Sequence, residues 1–170
     1  PLQMRQFLLD TDVRAYRAGQ VVFERNAIGS SLFGIASGSV KVEVDPRNPA
    51  ITVPIETGSI FGEVGLISGR RRGATVRAAE PMIVVEIGRT PALKLMASVK
   101  DARDTVNRIS MERQMLQICG AGLSAADLTE VRAGAAVSEV KLDEAMVREG
   151  EDGSDVFVVR SGSMIVEKAI

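Results

Sequence analysis

The feature that most constrains the fold is a succession of short strand-like segments between residues 13 and 87. The segments are rich in apolar and β-branched residues, and Gly, Pro, Asn and Asp, which favour turns, separate them. They are Val21–Phe23, Leu32–Ile35, Val40–Val44, Ile51–Ile55, Thr75–Arg77 and Ile83–Glu86. Many short strands with frequent turns are typical of an all-β sandwich or barrel.

One segment also predicts how its strand lies. Val40, Val42 and Val44 alternate with charged residues, and a period of two is expected of a strand with one buried face. The next stretch, residues 45–49, contains two prolines and an asparagine, which predicts a hairpin loop.

Helices are predicted to follow the β region. Pro91–Ala97 and Asp101–Cys119 lack turn residues and carry apolar side chains at helical spacing. The second helix has an apolar stripe that Arg113 interrupts. The stripe consists of Val99, Ala102, Val106, Ile109 and Leu116. Two interpretations stay open: the stripe covers the helix's own or neighbouring domain, or it forms a homodimer through residues 99–119.

The sequence also repeats itself 124 positions later without a gap. Residues 29–33 and 37–39, Gly-Ser-Ser-Leu-Phe and Ser-Gly-Ser, recur at 153–157 and 161–163 as Gly-Ser-Asp-Val-Phe and Ser-Gly-Ser. An offset this long indicates a duplicated domain rather than a solenoid repeat. We therefore predict a complete unit over residues 1–119 and the N-terminal part of a second unit over 120–170. A helix over Ala125–Val131 would open the second unit, as Leu2–Phe7 would open the first.

Composition excludes several classes of function. The chain has no histidine, which removes Ser-His and Cys-His catalysis and the commonest metal ligand. A net charge of −1 gives no long-range attraction for nucleic acid, and apolar runs such as Ile83–Val85 are too short to cross a bilayer. The single cysteine, Cys119, suits a reducing compartment. We expect a cytoplasmic protein with no catalytic residue, cofactor or metal, and no contact with nucleic acid or membrane.

The stretch Phe61–Ala78 carries the residues that predict a ligand. It combines Phe-Gly-Glu with Arg-Gly-Ala-Thr-Val-Arg-Ala. An ionised carboxylate accepts hydrogen bonds from a hydroxyl, an arginine forms a fork for phosphate oxygens, and glycine permits close backbone approach. A first helical turn offers unpaired N–H groups to an anion. Together these groups suit a sugar phosphate.

Phe61–Ala78 resembles the phosphate-binding cassette of cyclic-nucleotide-binding domains. The resemblance implies a mainly β fold with flanking helices: a barrel of the double-stranded β-helix or jelly-roll type, then helices, then the start of a second such barrel. It implies that Glu63 accepts the ribose 2′-hydroxyl and that Arg72 holds the cyclic phosphate, while backbone N–H groups of Gly65, Leu66 and Ala74 complete the phosphate site. The ligand-binding residues it implies are Gly62, Glu63, Gly65, Leu66, Arg72, Gly73, Ala74 and Thr75.

Three departures from the family pattern bear on the ligand and its loop. Arg71 stands where the family often has proline, and residues 25–27, Arg-Asn-Ala, stand where it favours Glu-Gly-Asp. Asn26 tolerates a left-handed conformation, so the turn can persist. Gly73 stands where cyclic-GMP-selecting members would carry a Thr or Ser hydroxyl. The sequence therefore favours cyclic AMP, with cyclic GMP as the alternative.

The resemblance implies a regulatory sensor that transmits a helix movement to an output domain in the same polypeptide. The chain begins at Pro1, and we expect both ends to lie within a longer polypeptide. Purine contacts are expected near Val76. Ile109, Met111 and Met115 are candidate lids, with core or interdomain packing as the favoured interpretation of each. Two alternatives stay open: a non-binding interaction module with the same fold, and the effector domain of a transcription regulator.

Overall fold

Two antiparallel β-sheets pack against each other and are followed by helices. The computed structural model describes residues 11–119 and 125–168. The strands are β1 (Thr11–Tyr16), β2 (Val21–Phe23), β3 (Leu32–Ser37), β4 (Val40–Glu43), β5 (Thr52–Ile55), β6 (Ile60–Phe61), β7 (Thr75–Ala78) and β8 (Met82–Ile87). The first sheet has the order β1-β8-β3-β6 and the second β2-β7-β4-β5. The predicted mainly β architecture with flanking helices is confirmed.

The strands pair across a long sequence separation. β1 pairs with β8, β2 with β7, β3 with β6 and β8, and β4 with β5 and β7. Every strand of the first half therefore has its partners in the second half. None of β1 to β4 can form its ladder without strands that come after residue 50.

The six predicted strands are present, and two further strands lie at sheet edges. β1 was not predicted because few of its side chains are buried, and Val13, for example, is 72% exposed. Its sequence therefore lacks the alternation that is typical of a half-buried strand. β6 is too short to give a pattern. The predicted helices correspond to α2 (Arg89–Ser98), α3 (Lys100–Cys119) and α4 (Ala125–Gly134), and a short helix α1 (Glu63–Ser68) follows β6. The predicted helix over Leu2–Phe7 and the side chain of Cys119 lie outside the described residues.

The core lies between the sheets. Its buried members come from both sheets and are Phe33, Ile35, Val40, Ile55, Phe61, Val76, Ala78, Met82 and Val84. The rings of Phe33 and Phe61 stack with centroids 4.9 Å apart, and Phe23 packs tilted against both at 5.8 and 5.9 Å. A second cluster, Leu32, Leu66 and Ala92, joins the sheet to α1 and α2.

Helix α3 covers its own domain. It packs on α1 and α2, and it buries Val106, Ser110 and Gln114. Gln114 Nε2 donates to Ser110 Oγ at 2.9 Å, so the polar members of this face satisfy each other. The buried face shares Val106 with the predicted stripe and adds Ser110 and Gln114, whereas Val99 precedes the helix and is 43% exposed. The homodimer through residues 99–119 stays a prediction.

The predicted start of a second barrel is not shown by the structure. Residues 135–168 contain turns and bends but no strand. In the first unit, β1 to β4 bond only to strands from β5 to β8, so each of these strands depends on partners distant in the sequence. Unpaired strands gain no ladder hydrogen bonds and bury little, so they do not form by themselves. The unit boundaries at 1–119 and 120–170 stay predictions.

Two glycines give a matched test of packing in the fold. Both have positive φ, 81° at Gly38 and 82° at Gly58, but a Cβ on Gly38 would lie 2.6 Å from Met82 Cβ, whereas one on Gly58 meets nothing within 4 Å. We expect Gly38→Ala to lower the free energy of unfolding by about 3 kcal/mol, from backbone strain and overpacking together. Gly58→Ala, with strain alone, should lose about 1 kcal/mol.

Urea unfolding of both variants measures the difference. Equal losses for the two variants would show that the Gly38 contact does not matter.

Candidate functional site

Arg72 precedes β7, and its guanidinium is buried inside the domain. The residue is 4% exposed. Its Nη1 donates to Gly62 O and its Nη2 to Ser31 O, both at 2.9 Å, and Cζ lies 4.3 Å from the ring centroid of Phe23. Two carbonyls and an aromatic face therefore fix the plane of the guanidinium.

Three glycines make room for this guanidinium. A Cβ on Gly62 would lie 2.9 Å from Arg72 Nη1, one on Gly65 3.3 Å from the same atom, and one on Gly29 3.2 Å from Nε. Gly62 also has φ 86°, which glycine adopts without strain. The predicted site glycines Gly62 and Gly65 thus lie against Arg72 itself.

The buried cation has no matching anion beside it. Burial lowers the pKa of Arg72, and the carboxylates of Glu86 and Glu63 oppose that shift from a distance. Among the described residues, no carboxylate forms a salt bridge with Arg72. A guanidinium removed from water in this way is stabilised further by an anionic ligand.

Glu63 opens α1 and is almost fully buried, at 1% exposure. Its Oε2 accepts a hydrogen bond from Arg113 Nη1 at 2.8 Å. Its Oε1 is buried and has no hydrogen-bond partner in the described part of the chain. One oxygen of this carboxylate is therefore held by α3, and the other lacks a donor.

Sequence reasoning did not assign Arg113 to the site. The available signal was its position, because it interrupts the apolar stripe of α3. A charged residue at such a position calls for a partner of opposite charge. Only the packing of α3 on α1 identifies that partner as Glu63.

A cavity of about 100 Å³ lies beside Glu63. Four of the eight predicted site residues line it: Gly62, Glu63, Gly73 and Ala74. The sheet contributes an apolar wall of Val42, Val44, Val53, Ile55 and Val76. Helix α3 closes it with Arg113 and Leu116, whereas the candidate lids Ile109, Met111 and Met115 do not line it. The cavity is smaller than the pockets of ~300 Å³ or more that hold drug-sized ligands.

The other four predicted site residues lie behind this lining. Leu66 is fully buried against Leu32 and Ala92, and Thr75 Oγ1 accepts a hydrogen bond from the Arg25 backbone N–H at 3.1 Å. Gly65 and Arg72 meet at the glycine contacts described above. In this structure these residues build the frame of the site.

Metal sites and membrane-spanning helices are both absent from the described ranges, 11–119 and 125–168. They contain no group of three or more acidic or Cys side chains arranged to hold a metal ion. None of their helices has the length and apolar character needed to cross a bilayer.

The family model of the cyclic nucleotide-binding domain matches residues 13–99. This chain belongs to the cyclic nucleotide-binding domain family. The matched range contains α1, α2 and both sheets except the first two residues of β1, and it ends before Arg113.

Known relatives and solved structures agree with this assignment. The chain is 33% identical over 107 residues to a cyclic nucleotide-gated potassium channel of Rhizobium etli, covering 60% of this chain and 29% of the channel. It is 29% identical over 93 residues to a cAMP-dependent protein kinase regulatory subunit of Debaryomyces hansenii, covering 55% of this chain and 20% of the subunit. The chain thus spans under a third of the length of either relative.

Among solved structures, a cAMP-binding acyltransferase from Mycobacterium smegmatis has a TM-score of 0.57 at 27% identity, over 68% of this chain and 36% of that one. The cAMP-bound PfPKA-R has a TM-score of 0.59 at 19% identity, over 75% of this chain and 43% of that one. The second likeness is one of fold.

The ion pair between α3 and Glu63 can be tested against a surface pair in the same helix. We expect Arg113→Ala to lower the free energy of unfolding by about 2 kcal/mol, because it leaves a buried carboxylate without a counter-charge. Arg108→Ala removes an exposed pair with Glu112, 3.6 Å apart, and should change stability by less than about 0.5 kcal/mol.

Urea denaturation of the two variants provides the comparison. Adding Glu63→Gln to Arg113→Ala should recover part of the loss, because the unpaired charge is then gone. Similar losses for the two arginine variants would contradict the assigned role of the buried pair.

Proposed function

We propose that this chain is a regulatory module that binds a cyclic nucleotide between Glu63 and Arg72, with cyclic AMP favoured. The observation that carries the proposal is the unpartnered, buried Glu63 Oε1 beside the cavity. A ribose hydroxyl is a neutral donor that would satisfy this oxygen. A buried polar atom without a partner is otherwise unfavourable by about 1–3 kcal/mol.

Arg72 supplies the complementary charge. A guanidinium has five N–H donors, and the two backbone carbonyls of Gly62 and Ser31 take one each. The remaining donors can bind an anionic group such as a cyclic phosphate. Burial lowers the pKa of Arg72 because it disfavours the charged form, and a nearby anion would oppose that effect.

The sheet side of the cavity favours adenine, because its apolar side chains offer no hydrogen-bonding group specific for guanine. Its walls are valine and isoleucine side chains of the sheet, which suit an apolar ring face. Gly73, at the rim, provides no hydroxyl. Two relatives, a cyclic nucleotide-gated potassium channel and a cAMP-dependent protein kinase regulatory subunit, support the same ligand class.

The position of α3 supports a role in transmission. With Arg113 on Glu63 and Leu116 on the cavity wall, the cavity of about 100 Å³ is too small for a nucleotide. Binding therefore requires α3 to move away from α1. Such a movement would bias an output domain attached in the same polypeptide between two states.

The same contacts also favour one alternative, a non-binding interaction module. Arg113 already neutralises Glu63, and Arg72 already has two carbonyl partners. Because both charged groups already have these partners, the site can fold without a ligand. Titration separates the two functions, because only a binding module gives a saturable isotherm.

We further propose that residues 120–170 are the start of a second copy. Residues with positive φ recur 124 positions apart, in the pairs Gly19 and Asp143, Asn26 and Gly150, Gly38 and Gly162. Two turn hydrogen bonds recur as well. Gln20 N to Arg17 O at 3.0 Å corresponds to Glu144 N to Lys141 O at 3.2 Å, and Ala27 N to Glu24 O at 3.1 Å corresponds to Glu151 N to Arg148 O at 3.1 Å.

These shared turns support a common origin of the two segments even though the second forms no strand. The turns depend on local residues, whereas the strands depend on distant partners.

Calorimetric titration with cyclic AMP and cyclic GMP tests the binding proposal. We expect about one nucleotide per chain of residues 1–170, which contain the cassette Phe61–Ala78. The Kd should rise by about 100-fold in Arg72→Ala because a charge-assisted phosphate contact is lost. Arg47→Ala removes an arginine from the exposed β4–β5 loop and should leave the Kd unchanged.

The melting temperature without ligand checks that the Arg72 variant folds, and Arg72→Lys, which keeps the charge, serves if it does not. Absence of saturable binding by the unsubstituted chain at millimolar nucleotide would overturn the proposal.

Ligand selectivity gives a separate prediction. Gly73→Thr places a hydroxyl at the cavity rim, and we expect the ratio of the cyclic GMP Kd to the cyclic AMP Kd to fall by about tenfold, equivalent to one added hydrogen bond. Competition titration with both nucleotides measures this ratio. A uniform loss of both affinities would indicate a steric effect and not a change of selectivity.

A further inference from the structure

We infer that the turn Arg25–Ala27 is a clamp that orients the loop Arg71–Ala74, with Arg25 and Arg71 as positioning residues. We call these two segments the clamp turn and the phosphate loop. The inference rests on the proposed function, because it assigns the clamp turn a role in nucleotide affinity. Its structural basis is independent of any ligand.

The two segments are joined by backbone hydrogen bonds on both sides of Arg72. Asn26 N–H donates to Arg72 O at 2.8 Å, and Arg72 N–H donates to Ala27 O at 3.0 Å. Asn26 has φ 67°, a conformation that asparagine tolerates better than most residues. The left-handed turn at Asn26 therefore contacts the backbone of the residue that carries the guanidinium.

Arg25 extends this contact beyond Arg72. Its Nη1 donates to Gly73 O and its Nη2 to Glu43 O at 3.0 Å, while its backbone N–H donates to Thr75 Oγ1. One planar fork thus ties the phosphate loop to the end of β4. A lysine could not make both carbonyl contacts with the same fixed geometry.

The Gly73 contact also sets the direction of a second backbone group. Gly73 C=O and Ala74 N–H belong to one planar trans peptide and point in opposite directions. With the carbonyl held by Arg25, the N–H of Ala74 is directed away from Arg25. Within the described part of the chain this N–H donates no hydrogen bond, and Ala74 lines the cavity. Arg25 thereby presents a free donor to an anionic ligand.

Arg71 closes the other side of the clamp. Its Nη1 donates to Asn26 O at 3.0 Å, so Asn26 is bonded through both its N–H and its C=O. The Arg71 contact is exposed, and exposed pairs contribute less than buried ones. Arg25 is therefore the principal positioning residue and Arg71 the minor one.

The residues that depart from the family pattern take part in the clamp. Arg25, Asn26 and Arg71 each differ from the residues that the resemblance favours, and all three take part in this one network. A loop that lacks a proline to restrict its φ can be held instead by hydrogen bonds from outside. The departures at these three positions are therefore linked by direct hydrogen bonds.

Nucleotide affinity and amide hydrogen exchange test the clamp together. For Arg25→Ala we expect the cyclic AMP Kd to rise about tenfold, mostly through faster dissociation, and for Arg71→Ala about twofold to threefold. Arg25→Lys, which keeps the charge but not the fork, should give an intermediate Kd. In the ligand-free protein, Arg25→Ala should speed exchange of the Asn26 and Arg72 amides about tenfold.

Gly38→Ala is the matched control for a merely structural loss. Its added Cβ would lie 2.6 Å from Met82 Cβ, at the turn between β3 and β4, away from the phosphate loop. It should lower the melting temperature without changing the Kd or the exchange of the two loop amides.

The possible outcomes separate the clamp from the binding proposal. Unchanged loop exchange in Arg25→Ala overturns the clamp whether or not nucleotide binds, and so does an equal rise in Kd in Gly38→Ala. Faster loop exchange in a chain that binds no nucleotide would retain the clamp as a loop-ordering device and overturn its role in affinity together with the proposed function.

Discussion

The pairing of early strands with late ones is the constraint on which this structure depends. Because β1 to β4 bond only to strands among β5 to β8, neither half of the barrel is stable without the other. The cassette lies where the chain returns, between β6 and β7. Arg72 is therefore brought against Ser31 and Phe23, residues of the first half, by the same pairing that builds the core.

The site contains two buried charged residues, Arg72 and Glu63. Arg72 lies among carbonyls and aromatic rings, and Glu63 is held from α3 by Arg113. Neither charge is fully compensated: burial lowers the pKa of Arg72, and Glu63 retains an oxygen without a donor. A ligand that is anionic at one end and a hydroxyl donor at the other would correct both deficits.

Glycine residues and Arg25 shape the surroundings of Arg72 in different ways. Glycines allow the guanidinium of Arg72 to approach the backbone at Gly62 and Gly65, while Arg25 holds the loop from outside through the Gly73 carbonyl. The first effect removes steric bulk, and the second removes conformational freedom. Both lower the free energy needed to organise the site before a ligand arrives.

The sequence by itself determined the mainly β fold, the helices after it and the cassette, because short-range alternation, turn residues and a fixed motif spacing are local properties. It also identified Asn26 as a residue able to take a left-handed turn. Tertiary structure alone decided that Arg113 contacts Glu63, that Arg25 contacts Gly73, and that Leu66 and Thr75 lie behind the cavity lining. Those contacts join residues 26 to 50 positions apart in the sequence, and periodicity carries no information about which distant residues meet. For the same reason the second segment repeats the turns of the first but not its strands, since turns are local and ladders need partners.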